Sequence, residues 1–311
     1  MSAILTWPFL EETVSPASEP AAGPRAVHMS SNGLKSVVLL GALTGLMLWV
    51  GRVLGGPQGL TIALVFAAIT NVGAFWFSDK LVLRMYRARP LAEGEAPQVH
   101  RIVHELSQLA RVPMPALYQI ESAAPNAFAT GRSPAHAAIA VTTGIVRLLD
   151  ERELRGVLAH ELAHVRNRDT LTSTVAATLA GVVMWVADMA RWSLIFGGFD
   201  RDSRDSRGGG LELIVMMVVA PLAAVLIKLA ISRSREFAAD ATAARTTGDP
   251  LALASALEKL GSAAARVPMA ASPQTAHLFI VNPLTGGGFA RLFSTHPSLE
   301  ERIRRLRTRQ Y

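Results

Sequence analysis

The sequence predicts a mainly α-helical protein with a small β-sheet and transmembrane helices. Hydrophobic residues make up 50% of the 311 residues and charged residues only 18%, and the mean hydropathy is +0.30. Long charge-free segments also alternate with amphipathic ones, and short alternating runs between them have the pattern of β-strands. This balance is typical of a membrane protein that also carries a folded polar part.

The first 32 residues are rich in Pro, Ala and Ser and lack apolar periodicity, which predicts a disordered extension. Met29 stands just before the first apolar segment, so translation is expected to start at either Met1 or Met29.

Two apolar segments follow, one from Gly33 to Leu54 and one from Val53 to Ser78. A helix that crosses a bilayer needs about 20 apolar residues. We therefore expect a two-helix transmembrane hairpin over residues 33–79, with its turn at Gly55–Gly59.

Basic residues follow this hairpin at Lys80, Arg84, Arg87 and Arg89, whereas the turn carries only Arg52. The positive-inside rule then places everything after residue 80 in the cytoplasm. The net charge of +7 could also indicate nucleic-acid binding, but the basic residues cluster beside apolar segments. We therefore expect the chain to contact a lipid bilayer and not to bind nucleic acid.

The chain contains an H-E-x-x-H motif in which His160 and His164 flank Glu161. Asp150 and Glu153 predict a capping box that starts the helix carrying this motif. On a helix the two imidazoles leave one face and can hold one Zn²⁺, with Glu161 beside the open position of the metal. The pattern indicates zinc-dependent peptide hydrolysis, and histidines that are merely packed are the alternative.

A second pair of histidines, His100 and His104, also stands four residues apart. No Glu lies between them, and the apolar stripe of their predicted helix is carried by other residues. We expect these two histidines to be structural, because spacing alone does not make a metal site.

Zinc needs a third protein ligand, and the absence of Cys leaves His and carboxylates as candidates. Asp169 and the acidic residues beyond the later apolar stretches are available, and we favour Glu236 because it begins a new helix there. Asp240 lies four residues later on the same face, where a carboxylate can orient a ligand imidazole. One Zn²⁺ per subunit is expected, with water as the fourth ligand.

Two weaker apolar stretches, Thr170–Ala187 and Leu213–Ile227, predict a second transmembrane hairpin within residues 170–230. The alternative is a hydrophobic hairpin that packs on the soluble part or lies in the interface. His164 precedes the first stretch by six residues, so the zinc site is expected near the membrane surface. Membrane proteins, or unfolded chains presented there, are then the expected substrates.

The segment before the motif predicts a helix over Pro97–Arg111 and three strands, at Ala116–Glu121, Ala127–Gly131 and residues 137–143. An exposed edge strand beside the active-site helix can bind an extended substrate through main-chain hydrogen bonds, and a purely structural hairpin is the equal alternative. Asn126 is a candidate for oxyanion or substrate contact.

Near the C-terminus, residues 266–288 are rich in Pro and Gly and predict a long loop that either covers the cleft as a lid or is disordered. His296 is a further candidate for oxyanion or substrate contact. The last helix is expected to start at Ser298. Its arginines predict a solvated face, with lipid headgroups as a less favoured partner: Arg302, Arg304, Arg305, Arg307 and Arg309.

Five motifs, in order along the chain, resemble those of the HtpX heat-shock metalloproteases: Pro125–Gly131, Val141–Gly144, His160–Asp169, Ser234–Asp240 and Ser294–Pro297. The resemblance implies a zincin-like catalytic domain of the gluzincin type. It also implies a zinc endopeptidase of the bacterial inner membrane, whose active site faces the cytoplasm and which acts on misfolded or damaged membrane proteins. The resemblance extends to the CAAX prenyl proteases.

These observations divide the chain into five parts. They are a disordered extension (1–32), a transmembrane hairpin (33–79), a first catalytic part with the sheet and the motif helix (80–169), a second apolar hairpin (170–230) and a second catalytic part with the third zinc ligand (231–311). Two other functions stay open: a CAAX-type prenyl-peptide processing protease, and a catalytically silent membrane adaptor that contains zinc.

Overall fold

The computed structural model describes residues 31–178, 233–267, 269, 275–281 and 297–310. Almost all of the predicted N-terminal extension, most of the second apolar hairpin, most of the loop over residues 266–288, and His296 lie outside the described residues.

A helical segment of 55 residues, α1 (Ser31–Met85), contains two helices that meet at Gly56. Gly56 has φ 58° and ψ −141°, a conformation that glycine adopts without steric cost, and Pro57 follows it. The stretch Gly55–Phe77, which lies almost wholly in the second helix, is long and apolar enough to cross a membrane, whereas the first helix contributes the shorter apolar stretch Leu40–Trp49.

The two helices of α1 fold back on each other as a hairpin. Asn71 Nδ2 donates a hydrogen bond to Thr44 Oγ1 at 2.7 Å, between the two arms. Near the turn the backbones approach so closely that a Cβ on Gly51 would lie 2.5 Å from the carbonyl oxygen of Gly59. Glycine at both positions therefore allows the arms to pack tightly.

Four strands form one sheet in the order β1-β2-β4-β3: β1 (Arg89–Pro90), β2 (Ala116–Ile120), β3 (Ala127–Gly131) and β4 (Ala137–Thr142). β3 and β4 are antiparallel, as the sequence predicts for a hairpin, and β3 lies at an edge. β2 and β4 pair in parallel, which the sequence analysis does not predict.

Seven further helices are described besides α1, and the second catalytic part of the chain contributes three of them. They are α2 (Pro97–Ala110), α3 (Thr143–Leu148), α4 (Glu151–Arg166), α5 (residues 169–178), α6 (Arg233–Thr247), α7 (Pro250–Ala264) and α8 (Leu299–Thr308), with short 3₁₀ turns at Pro134–His136 and Ala276–Leu278.

The central helix is α4, which carries the H-E-x-x-H motif. Its predicted capping box is confirmed, because Glu153 N donates to Asp150 Oδ1 at 2.9 Å and Asp150 N donates to Glu153 Oε2 at 3.0 Å. Lys259 and Ser255 of α7 also donate to the Glu153 carboxylate, each at 2.7 Å. The start of α4 is thereby attached to α7.

The main hydrophobic core lies between α4, the sheet, α2, α6 and α7, and includes the fully buried Leu154, Leu158 and Leu257. A second cluster joins the end of α1 to the sheet, since Val82 and Leu83 pack with Phe128 of β3 and with Phe279. The two clusters lie on opposite faces of β3, since Ala127 and Ala129 belong to the main core and Phe128 to the second cluster.

Candidate metal centre

His160, His164 and Glu236 converge at one point between α4 and α6. Each offers one ligand atom, and these atoms lie within 4.8 Å of one another. The Nε2 atoms of the two histidines are 3.2 Å apart. Glu236 Oε1 lies 3.5 Å from His164 Nε2, and Glu236 Oε2 lies 3.7 Å from His160 Nε2.

The other ring nitrogen of each histidine contacts a carboxylate. His160 Nδ1 lies 2.9 Å from Asp240 Oδ1, and His164 Nδ1 lies 3.2 Å from Asp169 Oδ2. A carboxylate that accepts a hydrogen bond at Nδ1 selects the tautomer whose Nε2 carries a lone pair. Both lone pairs then point into the space that Glu236 closes.

Arg302 corrects the prediction of a solvated basic face on α8. It is 0% exposed, and its Nε and Nη2 donate to Asp240 Oδ2 and Oδ1 at 2.9 and 2.7 Å. Its Nη1 donates to the carbonyl oxygen of Ile280 at 3.1 Å and lies 3.5 Å from Glu236 Oε2. The reason for burial is its position: Arg302 lies on the same stripe as Leu299 and Leu306.

Because Arg302 is adjacent, Asp240 stays ionised in spite of its burial. Desolvation raises the pKa of this carboxyl, but the charge and hydrogen bonds of Arg302 and His160 outweigh it and lower the pKa below its usual value. For His164, burial lowers the pKa, but the hydrogen bond to Asp169 and the charges of Glu236 and Glu161 raise it to about 9. The surroundings of His164 therefore favour positive charge at this position.

Negatively charged side chains outnumber positively charged ones around the site. Among the described residues, four carboxylates lie here, on Glu161, Asp169, Glu236 and Asp240, and all four side chains are buried. Two guanidinium groups face them, Arg302 at Glu236 and Asp240, and Arg235, whose Nε lies 3.7 Å from Asp169 Oδ1. With all groups ionised, four negative and two positive charges leave −2, which one divalent cation balances.

The donor set also fits a metal in geometry. A tetrahedral zinc site with bonds of about 2.1 Å places neighbouring ligand atoms about 3.4 Å apart. The two histidine Nε2 atoms are 3.2 Å apart, and each lies 3.5 or 3.7 Å from one oxygen of the Glu236 carboxylate, Oε1 for His164 and Oε2 for His160, so these separations are close to that value. Two imidazoles and a carboxylate are ligands that zinc accepts, so the residues present fit this ion.

Glu161 lies beside these ligands and faces the edge strand. It is 2% exposed, and it accepts a hydrogen bond from the backbone amide of Ala129 in β3. Burial raises the pKa of Glu161 above its usual value, although the two histidines and the Ala129 amide oppose the shift. A small cleft contains Glu161 and the three converging side chains, and its other lining residues include Ala129, Thr170, Ser173, Leu278, Phe279 and Ile280.

One wall of the cleft is a short segment of the chain, residues 278–281, that lies against the start of β3. Ile280 N donates to the carbonyl oxygen of Ala127 at 3.1 Å. Asn126 Nδ2 donates to the carbonyl oxygen of Val281 at 3.0 Å. The structure thus places Asn126, predicted as a substrate contact, in a buried position where it holds this wall.

Comparison with known proteins now identifies the family. Residues 93–310 match the sequence model of peptidase family M48. The chain belongs to peptidase family M48. A Protease HtpX homolog of Syntrophobacter fumaroxidans is 59% identical over 276 residues, which cover 88% of this chain and 98% of that protein. A Protease HtpX homolog of Aquifex aeolicus is 51% identical over 268 residues, 85% of this chain and 89% of that protein.

The predicted resemblance to HtpX-type metalloproteases is therefore confirmed, and the chain is an M48 metalloprotease with a mainly helical fold and a small sheet. Among solved structures, S. mikatae Ste24p is similar with a TM-score of 0.46 and 19% identity, covering 88% of this chain and 65% of that chain.

Sequence reasoning found four of the residues that meet at the site, His160, Glu161, His164 and Glu236, and placed Asp240 beside them. It considered Asp169 as a rival ligand, whereas the structure places Asp169 at Nδ1 of His164. It missed Arg302, although the position of this residue on the stripe of Leu299 and Leu306 was a readable signal. His296 lies outside the described residues.

Replacing Arg302 tests whether this buried charge supports the site. In Arg302→Gln, Asp240 and Glu236 lose their cationic partner inside the protein. Breaking a buried ion pair costs about 3–5 kcal/mol, so we expect a marked fall in the free energy of unfolding. Arg302 also positions Asp240, the carboxylate that contacts Nδ1 of His160, so its replacement should weaken the binding of a divalent metal such as zinc by roughly 10–100-fold.

The matched control is Arg304→Gln, because Arg304 lies on the same helix with its side chain 56% exposed and paired to Glu301. Thermal unfolding and zinc titration of both variants give the comparison. Equal behaviour of the two variants would contradict a supporting role for Arg302.

Proposed function

We propose that this metalloprotease is a zinc-dependent endopeptidase of a membrane, acting on misfolded or damaged membrane proteins at the cytoplasmic surface. The observation that carries the proposal is the convergence of His160, His164 and Glu236 beside Glu161. The same cleft opens on an edge strand that can bind a peptide.

Zinc is the proposed metal because the donor set and charge balance fit it. The ligands are His160, His164 and Glu236, with Asp240 and Asp169 fixing the orientation of the two imidazoles. Bound there, the ion would supply a Lewis acid that polarises the scissile carbonyl and lowers the pKa of water.

Glu161 is the proposed general base. Its carboxylate lies in the cleft next to the three ligands, where it can accept a proton from the attacking water and deliver that proton to the leaving amine. The Ala129 amide holds this carboxylate from the side of β3. The position of the base is thereby coupled to the strand that lies along the cleft.

A peptide substrate is proposed to add to the edge of β3. In an antiparallel pair, alternate residues direct their backbone groups toward the partner strand or away from it. Ala127 faces away from β4, since its carbonyl accepts from Ile280, and Ala129 therefore faces the same way. Main-chain hydrogen bonds at this edge would hold an extended chain across Glu161 without selecting its side chains.

The membrane assignment is supported by α1. Its apolar stretch Gly55–Phe77 has a mean hydropathy of 1.9, and its large apolar side chains, including Ile62 and Ile69, are exposed. Lys80, Arg84 and Arg87 follow that stretch, and the positive-inside rule assigns such residues to the cytoplasm. We therefore propose the inner membrane of a bacterium, with the cleft on its cytoplasmic side.

Sequence-independent binding at a strand edge suits quality control. A folded protein offers few unpaired extended segments, whereas a misfolded chain exposes them. A cleft near the membrane surface would meet such segments as they emerge from damaged membrane proteins, which are the proposed substrates.

Replacing Glu161 by Gln separates metal binding from catalysis. The amide cannot act as a base, so we expect hydrolysis of an unfolded protein such as casein to fall by at least about 10²-fold. Zinc content should stay near that of the unchanged protein, because the three ligands remain. Metal analysis and a cleavage assay in detergent measure both quantities.

Two further variants serve as controls, one that removes a proposed zinc ligand and one that removes a histidine outside the site. Glu236→Ala should lose both zinc and activity. His104→Ala should lose neither, because His104 is exposed on α2 and belongs to the other i, i+4 pair. Full activity in Glu161→Gln would overturn the assigned base, and unchanged zinc in Glu236→Ala would overturn the ligand set.

Single cysteines test the membrane orientation, because the chain has no Cys of its own. Gln58 is exposed at the turn of α1, and Gly94 is exposed in the polar part. A membrane-impermeant maleimide added to spheroplasts should label Gln58→Cys directly and Gly94→Cys only after permeabilisation. Labelling of both positions in intact spheroplasts would contradict a membrane crossing by α1, and the reverse pattern would contradict the cytoplasmic cleft.

A further inference from the structure

The tip of the β3–β4 hairpin touches α1 at the end of its apolar stretch. The guanidinium carbon of Arg132 lies 4.9 Å from the centre of the Trp76 ring. Trp76 is 49% exposed and stands one residue before the end of the stretch Gly55–Phe77. Tryptophan and arginine are the residues that settle at the boundary between bilayer and water. The hairpin tip is thus level with the point where α1 would leave the bilayer.

A second contact joins the other end of β3 to α1. The rings of Tyr86 and Phe128 are 6.0 Å apart, and Phe128 packs in the same cluster as Val82 and Leu83 of α1. Tyr86 directly follows Met85, the last residue of α1, and its amide still donates to the Val82 carbonyl at 3.2 Å, so it lies beyond the end of the apolar stretch that contains Trp76. The start of β3 therefore lies away from the proposed membrane, and its end lies against the surface.

The two contacts determine the direction of β3. Trp76 and Tyr86 are ten residues apart on a helix, which is about 15 Å. Phe128 and Arg132 are four residues apart on a strand, which is about 13 Å. Because these lengths nearly match, the strand runs alongside α1, close to parallel with the helix axis.

The second helix of α1 is unbroken from Pro57 to Met85, so the axis that β3 follows is also the axis of the helix in the proposed membrane. Helices that cross a bilayer tilt by about 20° on average from its normal. β3 then stands nearly upright on the membrane surface, with Gly131 at its base. A strand added to its edge would also stand upright, with one end directed at the bilayer.

The contact of Glu161 with β3 gives the distance of the proposed base from the membrane surface. Glu161 accepts from the amide of Ala129, which is three residues, or about 10 Å, from Arg132 at the hairpin tip. The upper end of the edge is already engaged, because Ile280 pairs with the Ala127 carbonyl. The Ala129 amide is also engaged, by Glu161, so in the described part of the chain the groups of this edge that an incoming strand would use are the Ala129 carbonyl and Gly131, nearest the membrane.

We infer that this protease cuts membrane-anchored polypeptides as extended strands that leave the bilayer along β3, with a lower limit on the distance of the cut. A peptide bond nearer to the membrane surface than about three extended residues cannot reach Glu161. Bonds just beyond that limit are cut best, since longer tethers lower the effective concentration of the bond at the cleft. This inference rests on the proposed function.

The test uses the full-length protease in proteoliposomes with reporters that carry one transmembrane anchor and an unstructured cytoplasmic segment. Reporters with the segment before or after the anchor cover both chain directions. Mass spectrometry of the products maps every bond that is cut. We expect no cuts within about three residues of the anchor and the most frequent cuts directly beyond. In detergent, where no bilayer surface limits the approach, the nearest bonds should also be cut.

A spacer provides the matched control. A short Gly-Ser spacer between the anchor and the segment pushes the segment away from the membrane. The first cut should stay at the same number of residues from the anchor, and should therefore fall in the spacer or at an earlier residue of the segment. The same spacer at the far end of the segment should leave the first cut unchanged.

Cuts directly at the anchor in proteoliposomes, or a first cut that stays at the same sequence position when the spacer is inserted, would overturn the inference. The free soluble segment separates this result from failure of the proposed function. Its cleavage by the unchanged protease and not by Glu161→Gln shows an active endopeptidase, whatever the distance rule. No cleavage of either the segment or the anchored reporters would count against the proposed function and against the inference with it.

Discussion

The arrangement of the metal centre depends on one buried ion pair, between Arg302 of α8 and Asp240 of α6. A guanidinium that is 0% exposed is stable only if its charge is matched, and Asp240 matches it with two hydrogen bonds of 2.7 and 2.9 Å. The same carboxylate reaches Nδ1 of His160 at 2.9 Å, so the pair also sets which nitrogen of that ring faces the metal position. The C-terminal helix α8 thereby determines the orientation of His160, which lies near the middle of the sequence. Arg305 reinforces the connection, since its guanidinium carbon lies 3.8 Å from the Phe237 ring on α6.

The second constraint is the position of α4, which packs against α7 on one side and carries the residues of the site on the other. One side of this helix is buried against α7, where Gly156 allows the backbone of Leu253 to come so close that an added Cβ would lie 3.0 Å from its Cα. The other side presents Glu161 to β3 and the two histidines to α6. Because β3 is also packed against the end of α1, the base, the strand edge and the apolar helix form one connected unit. The position of the site relative to the apolar helix is therefore set by packing.

Local patterns in the sequence predicted most of the elements. Asp150 and Glu153 marked the start of α4 because a capping box uses neighbouring residues alone. Glu236 was identifiable because its helix had to begin where the later apolar stretch ends. Long-range pairing was less accessible: the parallel pairing of β2 with β4, and the contact of Ile280 with β3, join segments that carry no matching signal. Arg302 was misread because a run of arginines usually means a solvated face, and burial of a charge is decided by a partner elsewhere in the chain. The sequence favoured Glu236 over Asp169 as ligand, but the contact of Asp169 with Nδ1 of His164 required the distances.

The central claim is that two imidazoles and one carboxylate bind a single zinc ion beside Glu161. X-ray absorption at the zinc edge on the purified, zinc-loaded protein tests it directly. The account predicts one zinc per chain in a shell of nitrogen and oxygen at about 2.0–2.2 Å, with outer-shell scattering from two imidazoles. In the Glu236→Gln variant the account predicts a loss of affinity with both imidazoles retained in any residual site. A zinc shell without imidazole scattering, or a spectrum unchanged after His160 and His164 are replaced, would contradict the claim.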